Sequence, residues 1–439
     1  MANYDSNYAI AQEISARIGA SPIPFDSVYS IALKIYNELG GEPAEFDSVY
    51  SILLGILPLV EGGGDSRLAE LYLSDDAVEV ETYDTNKAYV CVNADYVEDC
   101  DVYAVIWGDG TYTETDGTTI TNGDSTKTRM EALSDSDGTY YYLMHTYNET
   151  KSYNIKVNGT YFYTTFYIFN TKSEDFPAYV KSLYIDKGVK TLATYMVAYQ
   201  SQLAHITFNS ECTTALGNYC FCYGGGGITN VFIPDGVTLA GEGQFWNTIV
   251  NNFQFGINNK LTSIPAYFNY GQINWHDWNF LPKLEIPEGV TSIGTCAFGA
   301  NSVYIGDTIR ELKLPSTLQN IGNSAFSDMM ANGSVVDIPS SVTSIGKTAF
   351  YRPLRDGTAD GRTTYTVICR CTTLPTLGEQ VFYGSDYTKP THCTLYVPNS
   401  VIDLYKNAEQ WKEFGKILPI ESMGLEIATN EEIEQMFNK

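Results

Sequence analysis

Apolar residues recur at fixed places between residues 284 and 350, and they do so three times. Ile286-Pro-Glu-Gly-Val-Thr-Ser-Ile-Gly294 runs on to Ala297-Phe298, Leu314-Pro-Ser-Thr-Leu-Gln-Asn-Ile-Gly322 to Ala325-Phe326, and Ile338-Pro-Ser-Ser-Val-Thr-Ser-Ile-Gly346 to Ala349-Phe350. The copies start 28 and 24 residues apart. A period in the twenties with constant apolar positions predicts one supersecondary unit per repeat, stacked so that neighbours cover each other's apolar face. Within each unit a short strand should stop at Ile/Leu-Pro, because proline has no N–H for a central ladder. A polar turn follows, and Val/Leu-x-x-Ile-Gly returns to the interior. Ala-Phe then sets a small residue beside a ring that fills the coil.

Looser copies extend the pattern in both directions. Leu183-Tyr-Ile-Asp-Lys-Gly-Val189 and Val231-Phe-Ile-Pro-Asp-Gly-Val237 lie 48 residues apart by Ile185 and Ile233, which is two periods. Leu203-Ala-His-Ile-Thr-Phe208 supplies the unit between them, and Leu261-Thr-Ser-Ile-Pro265 marks another. Two aromatic insertions interrupt these units: Phe245-Trp246 with Phe253 and Phe255, and 267–280 with Trp275-His276-Asp277-Trp278. They either plug irregular coil interiors or present rings beside an acid and amides, a combination suited to stacking on sugars. Trp246, Trp275, His276, Asp277 and Trp278 are therefore the candidate ligand-binding residues.

Helical spacing governs the start of the chain. Tyr4-Asp-Ser-Asn-Tyr, Phe25-Asp-Ser-Val-Tyr and Phe46-Asp-Ser-Val-Tyr are each 21 residues apart. Asp5, Asp26 and Asp47 are placed as helix N-caps with an aromatic just before each. Val28, Ile31, Ala32 and Ile35 form an apolar stripe at helical spacing. Helices this short are marginal alone, so they form either a small three-helix bundle or an attachment module. In the second case Phe25, Asp26, Tyr29, Phe46, Asp47 and Tyr50 meet the partner. A glycine-rich linker, Glu-Gly-Gly-Gly-Asp, closes this part.

Period-two alternation follows, in Ala77-Val-Glu-Val-Glu-Thr-Tyr83, Ala88-Tyr-Val-Cys-Val92 and Val102-Tyr-Ala-Val-Ile-Trp107, so residues 65–172 read as strands. At the far end Thr429 and Glu432 make a capping box, and Ile433, Met436 and Phe437 share one helical face that needs a docking surface.

The repeated motif, Ile-Pro-x-x-Val-x-x-Ile-Gly-x-x-Ala-Phe, resembles the BspA-like leucine-rich repeats. Residues 374–420, through Leu395-Tyr-Val-Pro-Asn399 and Trp411, resemble that family's terminal coil and capping helix. The resemblance implies a solenoid scaffold and a setting among surface proteins of gut anaerobes and the phages that infect them. It does not name a ligand. Trp107-Gly-Asp-Gly-Thr111, followed by His145-Thr-Tyr147 and Tyr153-Asn-Ile-Lys-Val157, resembles the PKD-type immunoglobulin-like sandwich, usually a spacer or a carbohydrate-proximal module. The expected fold is therefore multidomain and mainly β. It comprises helical repeats over 1–64, an Ig-like β-sandwich over 65–172, a leucine-rich-repeat solenoid with its cap over 173–421, and an amphipathic helix over 422–439.

Composition narrows the partners. The 439 residues carry 26 basic and 52 acidic side chains, a formal charge of −26, which argues against nucleic acid. The 34 tyrosines fit either a β-rich protein or a recognition surface. Nine cysteines follow no ladder of spacings and include no Cys-x-x-Cys, so they read as mostly reduced core residues, with Cys220-x-Cys222 and Cys369-x-Cys371 each on one strand face. Asp135-Ser-Asp137-Gly138 reads as a hairpin turn, lacking the ligand set of a calcium loop. No nucleophile elbow, P-loop, dinucleotide fingerprint or zinc-protease motif occurs, so no enzyme, cofactor or metal is expected.

The opening residues have no basic n-region and no apolar h-region, and no apolar run reaches a membrane span, so neither an export signal nor membrane insertion is expected. Surface-type modules without an export signal favour a bacteriophage virion protein of head or tail. Its N-terminal repeats would attach to capsid or tail subunits, and its solenoid would meet a host-surface glycan or protein. A homo-oligomer is expected. The alternative is a secreted or surface adhesin of a gut bacterium.

Overall fold

The computed structural model describes residues 66–94, 101–115, 119–122, 127–129, 131–134, 139–162, 180–224, 227–271, 283–299, 309–351, 365–384 and 388–423. The helical repeats of 1–64, with Phe25, Asp26, Tyr29, Phe46, Asp47 and Tyr50, lie outside these residues. So do Trp275, His276, Asp277 and Trp278, the Asp135–Asp137 turn, and the C-terminal Ile433, Met436 and Phe437.

Residues 77–162 pair mainly as antiparallel strands. Ala77–Thr82 bonds Asn154–Asn158 on one side, with Val78 opposite Val157, and that strand continues to Ala104–Ile106 and Tyr112–Thr115. A second sheet joins Thr85–Ala94 to Thr139–Lys151 and Glu131–Ser134. Its Val90 and Leu143 share one buried core with Val78, Val105 and Ile155 of the first sheet. The alternation read in the sequence places these residues, because successive side chains on a strand point to opposite faces.

One element departs from the all-strand expectation: Ser66–Leu73 is an α-helix. Leu68 and Leu71, three apart, fall on one face and pack on Ala104 and Ile106. Arg67 holds both Glu70 and Glu114, at 2.7 Å each. Helical spacing of two leucines within eight residues is too short a signal to see against the strands that follow.

The array begins before the break expected at residue 172. Ala77–Thr82 also pairs antiparallel with Val180–Ile185, which pairs parallel with His205–Phe208. Likewise Tyr161–Phe162 pairs parallel with Thr191–Leu192. The two-sheet unit thus covers one row at the open end of the solenoid by sharing its sheet, so that Val180–Ile185 is paired on both sides.

Beyond the junction each coil contributes to two rows of parallel strands. One row includes Lys283–Glu285, Ile309–Lys313, Met330–Ile338, Thr366–Cys369, Thr394–Val397 and Lys416–Pro419. The other includes Ser263–Ile264, Ser292–Ile293, Asn320–Ile321, Ser344–Ile345 and Thr376–Leu377. Strands stop at or just before Ile/Leu-Pro as read, and the proline carbonyl closes the turn, accepting from Leu318 (3.1 Å after Pro315) and Val342 (3.2 Å after Pro339).

The interior carries a ladder of phenyl rings. Phe298, Phe326, Phe350 and Phe382 are fully or almost fully buried and stack coil on coil at 5.8, 5.5 and 5.7 Å, within 9° of parallel. Gly294, Gly322, Gly346 and Gly378 form a second row. Each donates its N–H to the preceding coil at 2.8 Å, so closely that an added Cβ would lie 2.3 to 2.6 Å from that coil's backbone. Two residues on, the chain turns left-handed at non-glycine positions: Cys296, Ser324, Thr348 and Gln380 have φ between 51° and 55°. That conformation costs about 1–2 kcal/mol each, offset by inter-coil bonds such as Ser324 N–H to the Lys347 carbonyl at 2.8 Å.

The array ends on a cap. Tyr405, in the helix Ile402–Asn407, and Trp411 are buried against the last coil, and Trp411 meets Phe382 at 5.1 Å. The Gln410 amide stands in for a missing coil, donating to the Gly378 carbonyl at 2.6 Å and accepting from Val381 N–H at 2.9 Å.

Candidate functional site

The turn that carries the left-handed residues is lined differently in the two halves of the array. Its positions in the later coils hold Cys296, Ser324, Thr348 and Gln380; in the earlier coils they hold Tyr195, Tyr219, Gly243 and Tyr267, at φ 58°, 52°, 64° and 57°. Four residues after the first two, Tyr199 and Tyr223 are left-handed as well. The result is a half-buried aromatic edge along one side of coils 191–271. Tyr195 stacks on Tyr219 at 5.8 Å, and Tyr199 on Tyr223 at 4.5 Å and 10°.

Trp246 sits in the middle. Its ring lies 5.4 Å from Tyr219 and 5.2 Å from Tyr223, at 57° and 60° to them. It therefore crosses the ladder, and neither tyrosine covers it face to face. Its indole N–H is buried without a hydrogen-bond partner. Gly243 makes room for this packing: a Cβ there would lie 2.3 Å from the Tyr219 ring. Burial pushes the Tyr199 and Tyr219 hydroxyls up to about 12, the latter also because Tyr219 bonds Glu242 at 3.3 Å. Both phenols stay neutral at any physiological pH.

Of the residues singled out from sequence as ligand-binding, Trp246 is the one in the described part, and it falls at the centre of this edge. The tyrosines around it were missed. Their signal was present: Tyr195 and Tyr199 recur 24 residues later as Tyr219 and Tyr223, one coil period on. The remaining insertion aromatics divide: Phe245 and Phe253 are buried in the coil interior, and Phe255 packs partly buried against it.

Other groupings are structural. Asp109 accepts from Thr111 and meets His145 Nε2 at 2.8 Å, His145 stacks on Trp107 at 5.0 Å, and the Tyr147 hydroxyl donates to the Trp107 carbonyl at 2.8 Å. Burial raises the Asp109 carboxyl, but the bonds from Thr111 and His145 outweigh it and hold it below its ordinary value. The glycine–aspartate turn and the histidine strand thus lock the two sheets together.

The cysteines do not lie as read. Cys220 and Cys222 are in a turn, and Cys371 lies beyond the strand that Cys369 ends, yet all four are buried because the narrow coil directs them inward. The described thiols are free, as expected of core cysteines, and burial pushes those of Cys220 and Cys222 up, the latter to about 12. A groove of about 550 Å³ crosses the strand face near Lys313 and Arg370. Its cations are engaged, Lys313 with Glu285 and Arg370 with Asp337 through two 2.8 Å bonds. Among the described residues no group of three or more His, Cys, Asp or Glu side chains is placed to hold a metal ion. No described helix is long and apolar enough to cross a membrane.

Stacked parallel strands, an interior ring ladder and an Ile-Gly contact row define a leucine-rich-repeat solenoid. The family model for the BspA type leucine rich repeat region matches residues 147–276 and 274–408 in six copies, and the chain belongs to that family. No curated protein matches the sequence significantly. Among solved structures, a leucine-rich repeat protein from Bacteroides ovatus ATCC 8483 is 13% identical, covering 75% of this chain and 77% of that one with a TM-score of 0.36. A leucine rich cell surface protein from Faecalibacterium prausnitzii A2-165 is also 13% identical, covering 71% and 96% with a TM-score of 0.18. At these values neither bears on what this chain binds.

Proposed function

We propose that this chain is a non-catalytic recognition protein displayed on a bacterial cell surface as an adhesin, with the aromatic edge as its contact face. The observation that carries the reading is the edge itself. Half-buried tyrosines and a tryptophan are gathered on one side of the array, where the later coils carry Cys296, Ser324, Thr348 and Gln380 at the left-handed positions and keep an aromatic residue, Tyr351 or Tyr383, only at the place of Trp246. Rigid aromatic side chains lose little conformational entropy on binding, which suits them to a contact face.

Cell-surface display is one of the two settings that the family resemblance implies, and no observation on the array favours the other, the virion. The same reading takes the two-sheet unit as a PKD-like spacer, assigns attachment to the N-terminal repeats, and expects display as a homo-oligomer. The test is protease shaving of intact source cells followed by peptide mass spectrometry. Release of peptides from 180–423 supports surface display. Their recovery from purified phage particles, with none from cells, would overturn it in favour of a virion protein.

A further inference from the structure

We propose that the aromatic edge takes a neutral, extended polysaccharide laid across the coils, an inference that rests on the edge being the contact face. The backbone along this edge is already committed to the neighbouring coil. Tyr219, Phe221 and Tyr223 donate to the carbonyls of Glu242, Gln244 and Trp246 at 3.0, 2.9 and 2.8 Å, and Gly243, Phe245 and Asn247 repeat the pattern one coil on at 3.0, 2.8 and 2.8 Å. A peptide adding itself as a strand finds no open ladder here. Recognition is left to side chains.

Those side chains offer two chemistries in alternation. The tyrosines stack in pairs, which spends part of their faces. Their hydroxyls are tied within the edge, Tyr219 to Glu242 at 3.3 Å and Tyr199 to Tyr223, so what they offer a ligand is the accepting oxygen of a phenol already bonded. Trp246 stands across the ladder and is not covered face to face by Tyr219 or Tyr223. A pyranose chain has the complementary make-up, with C–H faces for an indole and equatorial hydroxyls for phenols. Coils repeat about every 4.8 Å, close to the length of one residue in an extended glycan. Charge selects within the class. The phenols are neutral, and the charge set beside them is negative, at Glu242, which Tyr219 contacts. Uronic, sulfated or phosphorylated polymers are therefore disfavoured.

The test is affinity gel electrophoresis of the full chain in gels containing mannan, arabinogalactan or mixed-linkage glucan, with polygalacturonate and gelatin as the charged and peptide probes. Retardation by at least one neutral polysaccharide is expected, weakened about tenfold by Trp246→Ala, unchanged by Lys313→Ala, and absent with polygalacturonate. Should Trp246→Ala fail to fold by circular dichroism, Tyr199→Phe, which removes one hydroxyl only, should still weaken binding several-fold. Binding of gelatin or polygalacturonate instead, or of none of the neutral polymers, would overturn the proposal. Adhesion of protein-coated beads to host cells separates the two levels. Adhesion lost with Trp246→Ala but without polysaccharide binding leaves the contact face standing and removes the sugar. Adhesion indifferent to Trp246→Ala and Tyr199→Phe removes both.

Discussion

Replacing Gly322 by alanine adds one methyl group at the place where two coils come closest. The new Cβ would lie 2.6 Å from the Gly294 carbonyl carbon, 2.7 Å from its oxygen and 2.7 Å from the Thr295 nitrogen. All three are backbone atoms in a bonded ladder, so no side chain can swing aside. The coils must part, stretching the 2.8 Å bond from Gly322 N–H to Ile293 and loosening the stack of Phe298 on Phe326. Overpacking a rigid site costs about 3 kcal/mol, while the smaller entropy of an unfolded alanine returns about 0.7 kcal/mol. The net loss is about 2 kcal/mol, or about 1 M in the urea midpoint for a slope near 2 kcal/mol/M.

Gly333→Ala is the control. Gly333 has φ 77° with nothing within 4 Å of a built Cβ, so it carries the left-handed cost without the clash. Urea unfolding followed by tryptophan fluorescence compares the two. The close-approach argument is refuted if Gly322→Ala loses no more than Gly333→Ala.

Two further outcomes follow from other parts of the array. Burial pushes Asp328 up to about 7 despite a 2.9 Å bond from the Ser327 hydroxyl, so the folded state holds a proton that the unfolded chain releases above its ordinary value of 3.8. Its contribution is full below that value and lost as pH rises through about 7; after allowance for its partial exposure it amounts to about 1–2 kcal/mol, and Asp328→Asn should flatten the stability curve across that window in pH-dependent urea melts. At the cap, Gln410→Ala strips partners from the Gly378 carbonyl and Val381 N–H, which should cost about 2 kcal/mol and speed hydrogen exchange in the last coil but not at the Tyr161–Phe162 end.

Much of the solenoid was readable because its constraints repeat. Phe298, Phe326 and Phe350 hold one place in three consecutive coils, so a ring at that spacing announces both the coil and what fills it. Cys212 and Cys369 were harder, since a buried thiol takes the place that valine or isoleucine holds in regular coils, with no change in packing. The short helix Ser66–Leu73 and the shared sheet at the junction escaped for another reason. The first is defined by what it packs on, and the second by the pairing of Ala77–Thr82 with a strand about 100 residues later.

The sequence by itself determined the repeat, the turn at each Ile/Leu-Pro, the inward phenylalanines and the need for a cap, because each follows from local chemistry applied at a fixed period. It also marked Trp246, though not why that residue differs from Phe245 beside it. Only the tertiary structure decided that Phe245 enters the core while Trp246 joins Tyr199, Tyr219 and Tyr223 on an outer edge. The lateral neighbours of a coil residue lie a full period away along the chain, and stacking brings their rings within 4.5 to 5.8 Å.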